Sequence, residues 1–518
     1  MKITLISFSY LCPGVRILSS LINNHGYDVD LLFMEKPTYG LFSDKQLNLV
    51  REHCKNSSII GISLMTSQYL KAKQLTEVIK SKDNFVMWGG VHPTVRPEEC
   101  ISIADLIFLG ESENIIIPAI THLKEGKLPH NIEGIWCKNS SGKIYRNSMA
   151  SPVQDLNQIP FADYYLLNKH FRYKNSKFVQ LNEDEDEILS GGIYNSYPSR
   201  GCPYSCSFCS NSFFNRAARE KKKLWFRRRS IDNIMEELIT IKQRYPLIKA
   251  FSFNDDMFTA FPIEEIEEFS KRYKKEISKP LIIMGWRPET TNQKKLEMLV
   301  DAGLFKVRMG IQTASRRMQV IYKRKHKREE IMRAAQLFAS YYPKLYLIMY
   351  DFLLESPWEE DDDVWETLKL VADFPKPFWI NMHTLNFYPN TDLYEKAIKE
   401  EKIKNYSEVA YSRGNHKMSK RYVINLFDIL AYYSLPGFLK SFLLNKKIYN
   451  LGICYPIYFP LRAFMPVAKF YFFYKHSIKK LFIILFRLDV RGLIGVLKKE
   501  NFFRNIPRFS AKISNIFS

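Results

Sequence analysis

Two long stretches of the chain alternate short apolar segments with helix-length amphipathic ones, and that alternation leaves few folds open. KITLISF (2–8), DVDLLFM (28–34), SIIGISLMT (58–66), FVMWGG (85–90) and DLIFLG (105–110) read as buried strands. Segments 15–24, 44–55, 67–82 and 112–125 read as the helices between and after them. This order predicts a doubly wound parallel sheet, a fold that binds ligands at the carboxyl ends of its strands. Three of those ends carry small or polar residues: Ser63 to Thr66, Gly89-Gly90 through to Thr94, and Gly110-Glu111. Glycines there can serve tight turns alone, but two Gly-bearing ends in one small domain favour a ligand cleft.

The alternation resumes from about 193 to 400 with six strand–helix units. That is short of the eight of a closed barrel and predicts a partial, open one. Between the two stretches lie KNSSGK at 138–143 and the acidic run Glu183 to Glu187, a composition that reads as solvated loop. The expected organisation of the 518 residues is therefore an α/β domain over 1–130, a connector over 131–190, a partial barrel over 191–400 and a helical region over 401–518.

Where the barrel opens, YPSRGCPYSCSFCSN (197–211) places Cys202, Cys206 and Cys209 in one loop, against five other cysteines in the whole chain. A disulfide framework wants an even number in a small secreted domain, and so sparse a set suits a reducing compartment. A tetrahedral zinc site wants a fourth ligand nearby. An iron–sulfur cube is completed by four thiolates, so three leave one iron open to a substrate or cofactor.

The net charge of +22 is concentrated at the C-terminus. Residues 440–518 hold fifteen Lys/Arg against Asp489 and Glu500, a balance of +13. They are also rich in Phe, Tyr, Leu and Ile, yet the longest uncharged run, 448–461, contains two prolines and is too short to span a bilayer. Such a segment suits peripheral contact with an anionic membrane, and equally a helical cap with its lysines in water. Nucleic acid is a weaker third partner, because charge alone does not identify the polyanion. A short apolar run at the N-terminus reads as a strand rather than a signal peptide, which implies a cytoplasmic protein.

The C-x3-C-x-aromatic-C loop of Cys202, Cys206, Phe208 and Cys209 resembles the hallmark of the radical SAM superfamily. The resemblance implies a [4Fe–4S] cluster whose fourth iron is chelated by S-adenosylmethionine. One electron then cleaves that molecule to methionine and a 5′-deoxyadenosyl radical. It further implies that Asn254, Asp255 and Asp256, ending the second barrel strand, hold the methionine amino group, with Arg287 as a basic partner at the third. MGIQTAS (309–315) is similar to the family's ribose-contacting segment, which points to Gln312 and Ser315. YPNTDLYEKA (388–397) resembles its closing segment, whereas LESPWEED (354–361) lacks the glycines of the fifth-strand motif and transfers no residue.

GGVHPTVRPEE followed by DLIFLGESE resembles the cobalamin-binding domain of B12-dependent radical SAM proteins. That implies a Rossmann- or flavodoxin-like domain holding cobalamin through Ser63, Thr66, Gly89, Gly90, Thr94, Gly110 and Glu111. No histidine follows Asp28 or Asp30 in the manner of the axial-ligand motif of other cobalamin proteins, and His92 is either a structural turn residue or a cofactor contact.

The function implied is a cobalamin-dependent radical SAM enzyme methylating an unactivated carbon of a lipid-like or other small hydrophobic metabolite. Its electron donor would be a flavodoxin or ferredoxin. Cyclisation, C–C coupling or rearrangement on the same cofactors is the alternative. RNA modification ranks lower, since Cys12, Cys54 and Cys100 are too scattered for a second cluster. No side chain is singled out as a catalytic acid or base.

Overall fold

The computed structural model describes residues 1–466 and 468, apart from 36, 38, 39, 182–188, 190 and 404–421. The acidic run and most of the basic tail lie outside the described residues. The chain divides into two compact units, one of Met1–Glu359 with Met382–Lys417, the other of Glu360–Asn381 with Met418–Ser518.

The first unit contains the α/β architecture that the alternation predicts. β1 (Lys2–Ser7), β2 (Asp28–Phe33), β3 (Ile59–Ser63), β4 (Phe85–Gly89) and β5 (Leu106–Phe108) pair in parallel in the order β5-β4-β3-β1-β2. Ile3, Val29, Leu31, Ile59, Ile60, Val86 and Ile107 are fully buried. Each such side chain contributes on the order of 1.5–3 kcal/mol, which is why these strands read as continuous apolar runs. β1 is flanked by β2 on one side and β3 on the other, so strand order reverses there and a crevice opens at the carboxyl ends. Pro13, tolerated in a first turn because it lacks only an N–H the helix would not use, starts the helix Pro13–Asn24 beside that crevice.

The segment expected as a connector does more than connect. β6 (Ile135–Lys138) and β7 (Ile144–Tyr145) extend the sheet antiparallel beyond β5, and β8 (His170–Lys174) and β9 (Lys177–Gln180) extend it beyond β2. These strands are short and half-buried, so they lack the apolar runs that betray the central five.

A second sheet carries β10 (Ile193–Ser196), β13 (Ala250–Phe253), β14 (Leu281–Trp286), β15 (Leu304–Gln312), β16 (Leu347–Leu354) and β17 (Trp379–Thr384), in that order. Each strand lies beside its predecessor, the arrangement of an open six-stranded barrel. Between β10 and β13, the two-residue strands β11 (Ser199–Arg200) and β12 (Arg227–Arg228) pair antiparallel and close the neck of the cysteine loop.

The second unit contains the helix Asp361–Ala372 and the helices Tyr422–Tyr432, Gly437–Leu443, Lys446–Asn450 and Tyr455–Ala463. Among the described residues no helix is long and apolar enough to cross a membrane.

Candidate active site between the two sheets

The cysteine loop is held by its neighbours rather than by its own secondary structure. Ser207 donates its backbone N–H to the Tyr322 carbonyl at 3.1 Å and its hydroxyl to that of Ile321 at 2.6 Å. In return its carbonyl accepts from Leu393 N at 2.8 Å, so the closing segment 388–397 fastens the loop from the other side. The Phe208 ring meets Tyr322 edge-on at 5.3 Å, which accounts for an aromatic residue in the motif. Asn215 Nδ2 donates to the carbonyls of Cys202 and Tyr204.

The donor set fits an iron–sulfur cluster. Among the described residues no three His, Cys, Asp or Glu side chains converge as ligands of a single ion would. Three thiols spread along one loop instead suit separate corners of a cube. Burial pushes the Cys202 thiol up to about 12 and that of Cys209 up to about 11, so metal binding must displace their protons. Cys206 is buried and faces two guanidinium groups: Arg287 Nη1 at 3.4 Å and Arg324 Nη1 at 3.7 Å.

Those two arginines belong to one ring of contacts in which Arg287, Arg324 and His326 are buried and Glu289 is exposed. Arg287 lies 3.7 Å above the Tyr204 ring and donates through Nε and Nη2 to Glu289 Oε1 at 2.9 and 2.6 Å. Glu289 Oε2 sits 2.9 Å from His326 Nδ1, and His326 Nε2 accepts from Arg324 Nε at 3.0 Å. Accepting at Nε2 makes His326 a neutral imidazole with its proton on Nδ1, in keeping with burial, which lowers its pKa. Desolvation alone would raise the Glu289 carboxyl, but His326 and Arg287 hold it at about 2. Of this ring, sequence reasoning found only Arg287. Arg324 and His326 sit in KRKHKREE, where no local motif or periodicity marks them out from the other basic residues.

Beyond the cysteines opens a cavity of about 640 Å³. One wall is the carboxyl rim of the first sheet, with Ser63, Gly89, Gly90, Gly110 and Glu111; the other carries Asn254, Asp255 and Asp256 with Tyr197, Arg200 and Trp225. Asn211 ties this wall to the cysteines. Its Oδ1 accepts from Trp225 Nε1 at 2.6 Å, which turns Nδ2 towards Asp256 Oδ2 at 3.0 Å and Cys209 Sγ at 3.7 Å.

The acidic pair fits the S-adenosylmethionine ammonium. Asp255 accepts from Ser199 Oγ at 2.5 Å through Oδ2, while its buried Oδ1 has no hydrogen-bond partner among the described residues. Burial pushes this carboxyl up to about 7 despite Ser199, a penalty that an ammonium group would relieve. The pair depends on Gly285 at φ +73°, where a Cβ would stand 2.3 Å from the Asp256 carbonyl. Asn254 is already engaged, donating to Asn195 Oδ1 and accepting from Ser252. Gln312 has a left-handed φ of 69° and lies against Gly310, and its buried Oε1 has no hydrogen-bond partner among the described residues, an acceptor suited to a ribose hydroxyl. Ser315 Oγ accepts from Met318 N and caps the helix Arg316–Ile321.

The strand ends of the first sheet divide into cavity wall and support. Ser63 and Gly89 face the cavity, and a Cβ on Gly89 would come no nearer than 3.8 Å to its surroundings. Gly90 has φ +102°, and a Cβ there would stand 2.8 Å from the Leu64 carbonyl, so the backbone itself demands glycine. Gly110 is similar, at φ +88° and 3.1 Å from the Ala150 carbonyl. Thr94 bridges these turns, donating to Gly90 O at 2.8 Å and accepting from Gly110 N at 2.9 Å. Thr66 is buried away from the cavity lining. His92 is buried against Tyr69 at 5.0 Å, the structural alternative for that residue.

Glu111 binds protein rather than open space. Its oxygens meet Arg227 Nη1 and Nη2 at 2.7 and 2.8 Å, accept from Val153 N at 2.8 Å, and lie 3.5 Å from Arg200. Arg200 also reaches Glu113 at 2.6 Å. These pairs clamp β11 and β12, the neck of the cysteine loop, onto the rim of the first sheet. The clamp was invisible in sequence because its acids and bases lie almost ninety residues or more apart.

The comparisons with known proteins agree with this geometry. A model of the radical SAM superfamily matches residues 196–371, and one of the B12 binding domain matches 6–117. An uncharacterized methyltransferase of Pyrococcus horikoshii is 28% identical over 400 residues, covering 74% of this chain and 78% of the relative. An anaerobic magnesium-protoporphyrin IX monomethyl ester cyclase of Rubrivivax gelatinosus is 23% identical over 74% of this chain and 65% of its own length. Among solved structures, the radical S-adenosylmethionine methyltransferase TsrM of Kitasatospora setae superposes with a TM-score of 0.61 at 15% identity, over 77% of this chain and 76% of that one. The cofactors are accordingly a [4Fe–4S] cluster, S-adenosylmethionine and cobalamin. The chain thus carries a B12 binding domain and a radical SAM domain in tandem around one cavity, the arrangement of the cobalamin-dependent radical SAM enzymes.

Proposed function

We propose that this enzyme transfers a methyl group to an unactivated carbon of a small molecule. The observation that carries the reading is the shared cavity: the corrinoid rim at Ser63 and Gly89 and the acidic pair Asp255–Asp256 line opposite walls of one space. When bound, the cluster and S-adenosylmethionine supply the hydrogen-abstracting radical, and cobalamin supplies the methyl group. The protein's part is positional. Asp255 and Asp256 orient the ammonium end of S-adenosylmethionine, and Gln312 offers its ribose a buried acceptor. The Glu111–Arg227 clamp fixes the distance between the two walls, since a misplacement of about 1 Å can cost a hundredfold in rate. Relatives that include both methyltransferases and a cyclase keep cyclisation as the alternative outcome.

The test is anaerobic reconstitution with iron, sulfide and hydroxocobalamin, followed by S-adenosylmethionine and dithionite. Formation of both S-adenosylhomocysteine and 5′-deoxyadenosine is expected. 5′-Deoxyadenosine alone would replace methyl transfer with cyclisation or rearrangement.

A lipid-like substrate and peripheral membrane contact form a second reading, favoured by one observation. Phe438 and Phe459 are exposed on described helices of the C-terminal region, and Leu451, Ile453 and Phe464 are exposed in the turns beside them. Most of the tail that motivated this reading lies outside the described residues.

A further inference from the structure

The inner face of the barrel carries a charged group that none of the cofactor contacts uses. On β15, Val307, Met309 and Ile311 are fully buried, so the alternate residues Lys306, Arg308 and Gly310 face the opposite side of the sheet. Arg308 Nε donates to both oxygens of Asp351 on β16, at 2.9 and 2.6 Å. Its Nη2 lies 3.0 Å from His383 Nε2 on β17. The Asp351 carboxylate of this group thus sits on the Arg308 guanidinium, with His383 at its far nitrogen. Lys306, two residues before Arg308, is half-buried and has no hydrogen-bond or ion-pair partner among the described residues. Burial and the Arg308 charge both lower its pKa, as befits an ammonium group held without a counter-ion.

The position is as telling as the charge. Asp351 pairs with Gly310, and the Gly310 carbonyl accepts from Arg324 Nη2 at 2.5 Å. The charged group therefore lies one pairing step from the ring around Cys206, on β15, the strand that ends in Gln312, and on the two strands after it.

We propose that Lys306 and Arg308 bind an anionic oxygen group of the substrate, a carboxylate or a phosphate, and thereby present its carbon skeleton to the radical. Asp351 and His383 hold the Arg308 guanidinium in place, leaving Nη1 and the Lys306 ammonium for the ligand. The proposal rests on the reading of the chain as a small-molecule methyltransferase and names the substrate class. Its test requires no turnover, so that binding and methyl transfer fail separately.

The experiment is calorimetric titration of the reconstituted holoenzyme, saturated with S-adenosylmethionine so that its own carboxylate site is filled. The probes are hexyl phosphate, hexanoate, hexylamine and hexanol. Hexyl phosphate or hexanoate should bind, with hexylamine and hexanol at least tenfold weaker. Lys306→Met, which leaves the Arg308–Asp351 pair intact, should weaken the preferred anion about tenfold at unchanged iron and corrinoid content. Lys306→Glu should turn the preference towards hexylamine. Anion binding that is unaltered in both variants, or equal affinity for hexylamine and the anions in the parent enzyme, overturns the proposal. The two anionic arms distinguish phosphate from carboxylate.

Discussion

Arg324 Nη1 lies 3.7 Å from the Cys206 sulfur, on the same atom that Arg287 Nη1 approaches to 3.4 Å. Two buried cations beside one cluster ligand stabilise the more negative, reduced state of the cluster. Replacing Arg324 with Leu should shift the cluster midpoint to more negative potential by on the order of 60 mV, a tenfold change in a one-electron equilibrium. Arg324→Lys should recover part of the shift. A redox titration followed by electron paramagnetic resonance reads it, and an unmoved midpoint at full iron content would remove the role assigned to Arg324.

Substituting Cys202, Cys206 or Cys209 with Ala should abolish both the brown iron–sulfur absorbance and S-adenosylmethionine cleavage. Cys54→Ala and Cys137→Ala remove buried thiols of the first sheet domain, so they should cost some stability and leave the cluster intact. A Cys206→Ala protein that still holds four irons would refute the assignment of the loop.

The adjacent glycines 89 and 90 should behave differently. Gly90→Val places a side chain 2.8 Å from the Leu64 carbonyl at a φ that L-residues avoid, so corrinoid, iron and folded protein should be lost together. Gly89→Val meets ordinary contacts and projects beside Phe108 and Ser112 of the cavity lining, so it should lower corrinoid occupancy at unchanged iron content. Full corrinoid binding by the Gly89 variant would move the site away from this rim.

Removing Arg227 leaves Glu111 largely buried with only the more distant Arg200 for charge, which should cost about 3–5 kcal/mol. Burial favours the neutral acid of Glu111, but the Arg227 hydrogen bonds and the two guanidinium charges outweigh it and depress the pKa. A depressed folded-state pKa means that the pair's stability is present above the ordinary carboxylate range and is lost as pH falls through the folded value. The deficit of Arg227→Met in urea unfolding should therefore be largest near neutral pH and shrink in acid. A deficit that stays constant from pH 7.5 down through the ordinary carboxylate range to pH 3 would contradict the clamp.

The membrane reading predicts that the full-length protein sediments with anionic liposomes at low salt and is released at high salt, because the charge contribution is screened. Neutral liposomes should retain little. Protein that stays in the supernatant with both kinds removes the support for a lipid-like substrate.

What the sequence determined by itself was whatever short-range pattern encodes. The continuous apolar runs of β1 to β5, the six barrel units and the cysteine spacing are local, so the fold class and the cysteine loop were legible in it. The four edge strands β6 to β9 were not, because short half-buried strands carry no such run. Only the tertiary structure decided which polar residues work together. Arg324 reaches Cys206 across 118 residues, Arg227 reaches Glu111 across 116, and Asn211 reaches Asp256 across 45. It also separated Gly89, whose missing side chain opens onto the cavity, from Gly90, whose missing side chain makes room for the Leu64 carbonyl. A side chain's partner is set by where the chain returns in space, and one-dimensional spacing carries that information only within a single helix, strand or loop.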